Sequence, residues 1–150
     1  MPQSYTCLHY HFIFSTKHRQ PTITPDFRSR LYDYVGGIFR NLDGILIAAG
    51  GISDHVHLLA RLTQNHSVAE VLRVVKANSS KWVREVIPTD NGFGWQNGYG
   101  AFGVSYSNIE PVMKYIANQE VHHRAVSFQE EFLTFLRKQN VTFDPERIWE

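Results

Sequence analysis

The stretch SDHVHLLARL, residues 53–62, places one apolar residue between two histidines. Its pattern predicts a β-strand over 55–62, and side chains two positions apart on a strand lie on the same face. We therefore expect His55 and His57 to lie side by side and to face outward, while Val56 and Leu58 face a core. Two adjacent imidazoles on a polar face make half of a metal site, so the residues that complete the site decide its chemistry.

The sequence on both sides of this stretch predicts further strands and helices. In the first half of the chain we expect a strand over 5–15, a helix from Thr24 or Pro25 to about 41, a strand over 45–49 and the strand over 55–62, with a turn or bulge at Gly50 and Gly51 between the last two. A long helix opened by a capping box at Ser67 follows, and then a loop over 88–98 and a strand over 99–106. A helix opened by a second capping box at Ser107 runs to about Glu120, and a final helix covers 128–139. This order predicts an α+β fold, a small and mainly antiparallel sheet with helices packed on one face, as in a ferredoxin-like or RRM-like palm.

Length and composition indicate an ordinary globular protein. The 150 residues suffice for a hydrophobic core, and we expect a single domain over 1–150. No apolar run reaches the roughly 18 residues of a membrane span. The first residues lack a signal-peptide pattern, and the single cysteine, Cys7, agrees with a reducing compartment, so we expect a cytoplasmic protein without a membrane partner. A formal net charge of +1 permits a nucleic-acid partner without indicating one.

Other histidines of the chain are alternative candidates for a metal or catalytic site. Cys7, His9 and His11 share one face of the first predicted strand and have the composition of a zinc trio in a metal-stabilised binding module. We favour the simpler interpretation that they line a strand, because three adjacent side chains on a straight strand rarely converge on one ion. A histidine-triad nucleotide hydrolase would need a third alternating histidine where Leu59 stands. We interpret His122-His123 as a solvated helix end, since neighbours on a helix point about 100° apart.

The helix predicted after Ser107 carries residues that complete a site. Tyr115 and Gln119 lie one helical turn apart, beside the apolar stripe of that helix. The amide oxygen of Gln119 can act as a third, hard ligand of a divalent cation held by His55 and His57. The phenol of Tyr115 can act as a nucleophile toward a phosphodiester bound to that cation. A site without a thiolate suits Mg²⁺ or Mn²⁺ better than structural zinc.

With these residues, the chain resembles the single-tyrosine HUH transposases of the IS200/IS605 insertion-sequence family, the TnpA type. Members carry His-hydrophobic-His on a central strand and, well downstream, Tyr-x-x-x-Gln on a helix. Here the two motifs are HVH (55–57) and YIANQ (115–119). The resemblance extends to FSTKHR (14–19) after the first strand and GVSYSN (103–108) before the tyrosine helix. The two motifs in this order are far more specific than either motif alone.

The resemblance implies a metal-dependent DNA transposase in which Tyr115 is the catalytic nucleophile and His55, His57 and Gln119 bind Mg²⁺ or Mn²⁺. Tyr115 would attack single-stranded DNA at insertion-sequence ends, forming a 5′-phosphotyrosine intermediate and releasing a 3′-OH. That hydroxyl would later attack a second phosphotyrosine, so strands are cleaved and rejoined without ATP. The resemblance also implies recognition of DNA hairpins and a homodimer, in which the tyrosine helix of one subunit completes the active site of the other.

Basic side chains are candidate contacts with the DNA backbone. Arg73, Lys76 and Arg84 share a face of the long helix away from its apolar stripe, and Lys17 and Arg19 follow the first strand. Such residues bind phosphates, although a charged face of this kind also serves simply to keep a helix soluble.

The strongest alternative is a domesticated or decayed relative that binds DNA hairpins without cutting them. The presence of both imidazoles, the tyrosine and the glutamine argues against that loss of activity.

Overall fold

The structure, a computed structural model, describes residues 3–87 and 92–150. Its strands are β1 (Leu8–Ser15), β2 (Ile45–Ile52), β3 (His55–Leu62) and β4 (Gly100–Val104). Its helices are α1 (Pro25–Asn41), α2 (Val68–Val86), α3 (Ile109–Ala117), α4 (Gln119–His122) and α5 (Phe128–Lys138), with short 3-10 turns at Lys17–Arg19 and Tyr106–Asn108. None of the described helices is long and apolar enough to cross a membrane.

The four described strands form one antiparallel sheet in the order β2-β3-β1-β4. β1 and β3 are the central pair, with Ser15 opposite His55 and Ile13 opposite His57. The edge strands are β2, which pairs with β3, and β4, which pairs with β1. This strand order, with α1 after β1 and α2 after β3, is the ferredoxin-like arrangement, so the predicted α+β fold class is confirmed.

The two long helices cover one face of the sheet. Alternate side chains of β1 and β3, among them Phe12, Phe14, Val56 and Leu58, are buried against the apolar stripes of α1 and α2. α1 begins at Pro25, whose fixed φ suits the first position of a helix. This face holds the main hydrophobic core.

The three short C-terminal helices cover the opposite face. Ile13 of β1 and Phe102 of β4 pack there against Phe128, Phe132 and Leu136 of α5. We expected helices on one face of the sheet only. α1 and α2 do lie on one face, but α3, α4 and α5 cover the other. The physical reason is that α5 has an apolar stripe of its own, which requires an apolar surface to bury it.

The two predicted capping boxes behave differently. Ser67 caps α2, because its hydroxyl accepts a hydrogen bond from the backbone N–H of Glu70. Ser107 does not cap α3, since it lies within a 3-10 turn and its hydroxyl pairs with that of Ser105. The predicted continuous helix to Glu120 is also interrupted at Asn118, which separates α3 from α4.

The boundaries of three strands differ from the prediction. β4 spans Gly100–Val104 instead of 99–106. β1 begins at Leu8 instead of residue 5. Gly50 and Gly51 lie within β2, and the turn into β3 falls at residues 53–54. A side chain on residue 50 would collide with the backbone carbonyl of Ile116, so this glycine lets α3 cross the edge strand closely. That crossing decides where the end of α3 lies relative to the histidines.

The segment 92–98 packs against the long helices and the end of β1. Trp95 is buried, its indole N–H donates to the hydroxyl of Ser79 at 2.9 Å, and its backbone bridges to Thr16. Residues 88–91 of the predicted loop lie outside the described residues.

Candidate metal and nucleophile site

β3 carries His55 and His57 on the face of the sheet that α3, α4 and α5 cover. Both residues are 0% exposed. They share a face, as the alternation of a strand requires, but the expected outward orientation is wrong. The C-terminal helices close over the two imidazoles and create a buried polar cluster.

His11 of β1 belongs to this cluster. Its Nε2 lies 2.8 Å from Nδ1 of His57. Burial lowers the pKa of His11 to about 3 and that of His57 to about 4, so both rings are neutral near pH 7. The alternative zinc trio of Cys7, His9 and His11 is not assembled, since the Sγ of Cys7 pairs with Nδ1 of His9 at 3.4 Å and His11 pairs with His57.

Gln119, the first residue of α4, is buried beside His55. Its Oε1 lies 3.1 Å from Nε2 of His55. The other ring nitrogen of His55, Nδ1, lies 2.7 Å from a carboxylate oxygen of Asp54. The structure therefore brings the predicted ligands His55, His57 and Gln119 together within a single chain.

Tyr115 lies on α3, and its ring faces the same cluster, with its centroid 5.7 Å from that of His57. Its hydroxyl donates a hydrogen bond to the carboxylate of Glu131 and lies 3.4 Å from Nε2 of His122. Burial and the neighbouring Glu131 raise the pKa of the phenol well above its usual value. The phenol is therefore neutral in this arrangement.

Glu131 of α5, which sequence reasoning missed, occupies the centre of the cluster and is 2% exposed. Its Oε1 lies 2.9 Å from Nε2 of His57, 3.1 Å from Nε2 of His123 and 3.5 Å from Nε2 of His55. Its Oε2 accepts hydrogen bonds from the Tyr115 hydroxyl and, at 3.2 Å, from the Gln119 amide. One carboxylate thus connects the imidazoles to the phenol.

The charges in the cluster depend on one another. Burial by itself would raise the pKa of Glu131, but hydrogen bonds from His123, His55 and His57 hold it well below its usual range. Burial likewise opposes protonation of His55, yet the carboxylates of Asp54 and Glu131 outweigh it and raise the pKa of His55 to about 9. The structure therefore favours positive charge beside the Glu131 carboxylate.

The sequence of α5 contains a signal that identifies Glu131. The buried residues of this helix are Phe128, Glu131, Phe132 and Leu136, which form one stripe. Glutamate is almost never fully buried unless it is paired, so an acidic residue inside an apolar stripe predicts partners across the interface.

The pair His122-His123 is not the predicted solvated helix end. α4 ends at His122, so the angle between neighbours on a continuous helix does not apply to the two rings. Nε2 of His122 lies 3.2 Å from Oε2 of Glu131, and the side chain of His123 is only 2% exposed. Nδ1 of His123 lies 2.6 Å from the carbonyl oxygen of Val126, so this nitrogen carries the proton.

The donor set fits a divalent cation. Ligand atoms of His55, His57, His123 and Glu131 all lie within 4.8 Å of one another. Oxygen ligands bound to one octahedral cation at about 2.1 Å lie roughly 3 to 4 Å apart, so this spacing is close to that of one ion's ligand shell. Imidazole, carboxylate and amide donors without a thiolate differ from the usual structural zinc site.

The predicted DNA-contact residues occupy different environments. Lys17 and Arg73 are exposed, and the guanidinium of Arg19 lies 5.4 Å from the centre of the Trp149 ring. Lys76 donates to the carbonyls of Asn97 and Gly98 at 2.9 and 2.8 Å, and Arg84 donates to the carbonyl of Phe93 at 3.2 Å. Burial lowers the pKa of Lys76 to about 8. Contact of these five residues with DNA stays a prediction.

Residues 4–119 match the family model described as Transposase IS200 like. The chain belongs to the IS200-like transposase family. The resemblance expected from the two motifs is therefore confirmed, and the matched region of this IS200-like transposase includes His55, His57, Tyr115 and Gln119. α5 and Glu131 lie beyond it.

Two solved structures are similar to this IS200-like transposase. The first is a proposed transposase from Deinococcus radiodurans R1, with 26% identity, a TM-score of 0.64, and coverage of 79% of this chain and 96% of that chain. The second is a REP-associated tyrosine transposase bound to a REP hairpin, with 15% identity, a TM-score of 0.60, and coverage of 84% of this chain and 74% of that chain. The second likeness supports the fold alone. No curated protein matches the chain.

Proposed function

We propose that this IS200-like transposase cleaves and rejoins single-stranded DNA at insertion-sequence ends through a covalent link to Tyr115. One observation carries the proposal. In a chain of this family, Tyr115 and Gln119 meet His55 and His57 in one buried cluster, with the phenol directed toward the imidazoles.

The proposed cleavage step exchanges one phosphate ester for another. The phenolic oxygen of Tyr115 attacks phosphorus and forms a 5′-phosphotyrosine, while the bond from phosphorus to the 3′ oxygen breaks. The phenol loses one proton and the departing 3′ oxygen takes one up, so the step needs no further reactant. Attack of a 3′-OH on a phosphotyrosine reverses the exchange and rejoins strands without ATP.

The contacts of Tyr115 suggest how the nucleophile is prepared. Its hydroxyl donates to Glu131, which holds the phenol in position. The raised pKa of the phenol means that it attacks only after this proton has an acceptor. His122, 3.4 Å from the hydroxyl, is a group within reach of the proton.

We propose that His55, His57 and Gln119 hold a divalent cation, Mg²⁺ or Mn²⁺. When bound, such an ion would polarise the scissile phosphate and offset negative charge on the oxygens that attack and leave. Asp54 has a positioning role, because it accepts a hydrogen bond from Nδ1 of His55 and leaves Nε2 directed into the cluster.

The proposed substrate is single-stranded DNA with hairpin ends, in the cytoplasm. The REP-associated tyrosine transposase that shares this fold is bound to a REP hairpin, which supports the same class of ligand here. Lys17, Arg19, Arg73, Lys76 and Arg84 are the proposed phosphate contacts, and among them Lys17, Arg73 and Arg84 are exposed.

A covalent adduct tests the proposal. The protein is incubated with Mn²⁺ or Mg²⁺ and a single-stranded oligonucleotide carrying hairpin-forming DNA from beside the gene. A denaturing gel should show a protein–DNA adduct for the wild type and for Tyr106→Phe, since Tyr106 is 77% exposed. Tyr115→Phe should form none. An adduct that persists in Tyr115→Phe would contradict the proposed nucleophile. Hairpin binding by the wild type without any adduct would favour the relative that binds but does not cut.

We also propose a homodimer in which the tyrosine helices are exchanged between subunits. In the single chain α3 completes its own site, and a partner's α3 would make equivalent contacts if the exposed segment 105–108 redirected it. Mixing Tyr115→Phe subunits with His57→Ala subunits tests the exchange. Adduct formation by the mixture, with neither variant active alone, is expected. An inactive mixture would mean that each chain uses its own tyrosine.

A further inference from the structure

We propose that Glu131 and His123 are ligands of the same cation as His55 and His57, so that α5 is part of the metal site. The inference rests on the proposed function for the presence of a cation, but it changes the ligand set. Three imidazoles and one carboxylate would then hold the ion, with Gln119 at their side, instead of two imidazoles and one amide. Glu131 lies beyond the residues that match the family model, so the family match does not assign this role.

Imidazole nitrogens converge on one carboxylate oxygen. Three imidazole nitrogens from two separate parts of the chain, Nε2 of His55, His57 and His123, lie 3.5, 2.9 and 3.1 Å from one atom, Oε1 of Glu131. All four residues are buried or nearly so, and no lysine or arginine side chain contacts the carboxylate among the described residues. Nitrogen and oxygen donors that meet at this spacing in a buried place are the composition of a cation site.

The outer ring nitrogens of the histidines are also held by specific partners. A neutral imidazole has one N–H and one lone pair. Nδ1 of His123 faces the Val126 carbonyl and Nδ1 of His55 faces the Asp54 carboxylate, so these nitrogens carry the protons. Nε2 of each ring is then directed at Oε1 of Glu131, where a bound cation would replace the proton that the cation-free ring shares with the carboxylate. This outer support of imidazoles is typical of metal-binding histidines.

His57 is supported in the same way from a different side. Its Nδ1 meets Nε2 of His11, 2.8 Å away on the neighbouring strand. This contact holds the ring of His57 with its Nε2 directed at Oε1 of Glu131. His11 is therefore a positioning residue, which explains why a buried histidine lies on β1.

The two carboxylate oxygens of Glu131 face different partners. Oε1 faces the imidazoles, whereas Oε2 accepts hydrogen bonds from Tyr115 and Gln119. A cation bound at Oε1 would therefore be connected to the nucleophile through one side chain. Three imidazoles also change the preference among metals, because Mg²⁺ favours oxygen ligands whereas first-row transition ions accept imidazole readily. We expect Mn²⁺ to bind more tightly than Mg²⁺.

Calorimetric titration of the DNA-free protein with MnCl₂ and MgCl₂ tests the ligand set. Glu131→Gln and His123→Asn should each weaken Mn²⁺ binding by at least about 10- to 100-fold, since loss of a residue that only orients a ligand already costs that much. The matched control is Glu130→Gln, since Glu130 is the exposed neighbour on the same helix and should leave Mn²⁺ affinity unchanged. The melting temperature of the wild type should rise more with Mn²⁺ than with Mg²⁺, a measurement that needs no variant.

Two results would overturn the inference. One is unchanged or tighter Mn²⁺ binding by Glu131→Gln, which would mean that the carboxylate occupies the cation's place and is displaced from it. The other is a wild-type melting temperature that does not respond to Mn²⁺. Neither result depends on DNA cleavage. A protein that binds Mn²⁺ as expected but forms no adduct would refute the proposed transesterification and leave the ligand set standing.

Discussion

The two faces of the central sheet are built by the same strands but contain different chemistry. Beneath α1 and α2, side chains such as Phe14 and Leu58 form one continuous apolar core. Beneath α3, α4 and α5, the intervening positions of the same strands carry His11, His55 and His57, and the apolar cluster around Phe132 lies beside them. Neighbours in the sequence therefore have opposite environments: His57 points into the polar cluster, and Leu58 points into the apolar core.

This difference means that stability and activity should respond to different mutations along one strand. The core face gains stability by removing apolar area from water, which needs no particular partner. The histidine face depends on a small number of directional contacts, each with a specific atom.

Replacement of neighbouring residues on β3 gives the sharpest separation. Leu58→Ala should lower the free energy of unfolding by about 2–5 kcal/mol, because it leaves a cavity in the main core. His57→Gln should cost less, about 1–3 kcal/mol for a lost buried hydrogen bond, and should abolish adduct formation. Urea unfolding and the adduct assay measure the two effects. Equal losses of activity in both variants, at a temperature where both are folded, would mean that the faces are not independent.

Moving α3 without touching a site side chain tests the geometry of the histidine face. Gly50→Ala places a methyl group against the carbonyl of Ile116, so α3 has to shift. We expect a destabilisation of about 1–3 kcal/mol from overpacking and a fall in adduct rate on the order of 100-fold from misplacement of Tyr115. Gly103→Ala is the control, because nothing lies within 4 Å of a side chain there. Equal effects of the two substitutions would argue against the role of this crossing.

The two serines with similar sequence contexts should differ in effect. Ser67→Ala removes the side-chain cap of α2 and should cost about 1 kcal/mol of unfolding free energy. Ser107→Ala should change it by only a few tenths of a kcal/mol, because the Ser107 hydroxyl caps no backbone N–H. Thermal unfolding of both variants measures the difference, and a cost for Ser107→Ala as large as that for Ser67→Ala would show a cap at α3 after all.

The last expected effect is confined to alkaline pH and comes from Lys76 of α2. Its pKa in the folded protein is about 8, whereas the ordinary value is 10.5. Between these values the unfolded chain binds more protons, so this group makes the protein more stable as pH rises from about 8 to 10.5. Lys76→Met should lose that increment, measured as unfolding free energy against pH. Parallel pH curves for wild type and variant would contradict the burial of the ammonium.

Local patterns predicted most of the fold. β3 has the bounds expected from its alternation, and α1 and α2 begin where Pro25 and Ser67 indicate. These features depend on neighbours in the chain, namely on alternation, helical periodicity and capping. The capping box at Ser107 failed because the chain forms a 3-10 turn there before α3 begins.

The predicted site residues meet because the strand and the helices that carry their two motifs pack against each other on one face of the sheet. His55, His57 and Gln119 meet, and Tyr115 faces them. Glu131 was missed, although its place in the apolar stripe of α5 was visible in the sequence. An acidic residue in an apolar stripe predicts a buried partner for its carboxylate, but the pattern does not identify that partner.

Sequence alone determined the strand that carries the histidine pair, the family to which the chain belongs and the residues of the two motifs. Only the tertiary structure decided that the pair is buried instead of facing outward, and that His11, His123 and Glu131 join it. The physical reason is the separation along the chain of the residues that interact. Alternation and helical period are set by backbone geometry over a few residues, whereas the partners of His57 come from β1 and α5, 46 and 74 residues away. Such contacts exist only after the sheet and the C-terminal helices have packed.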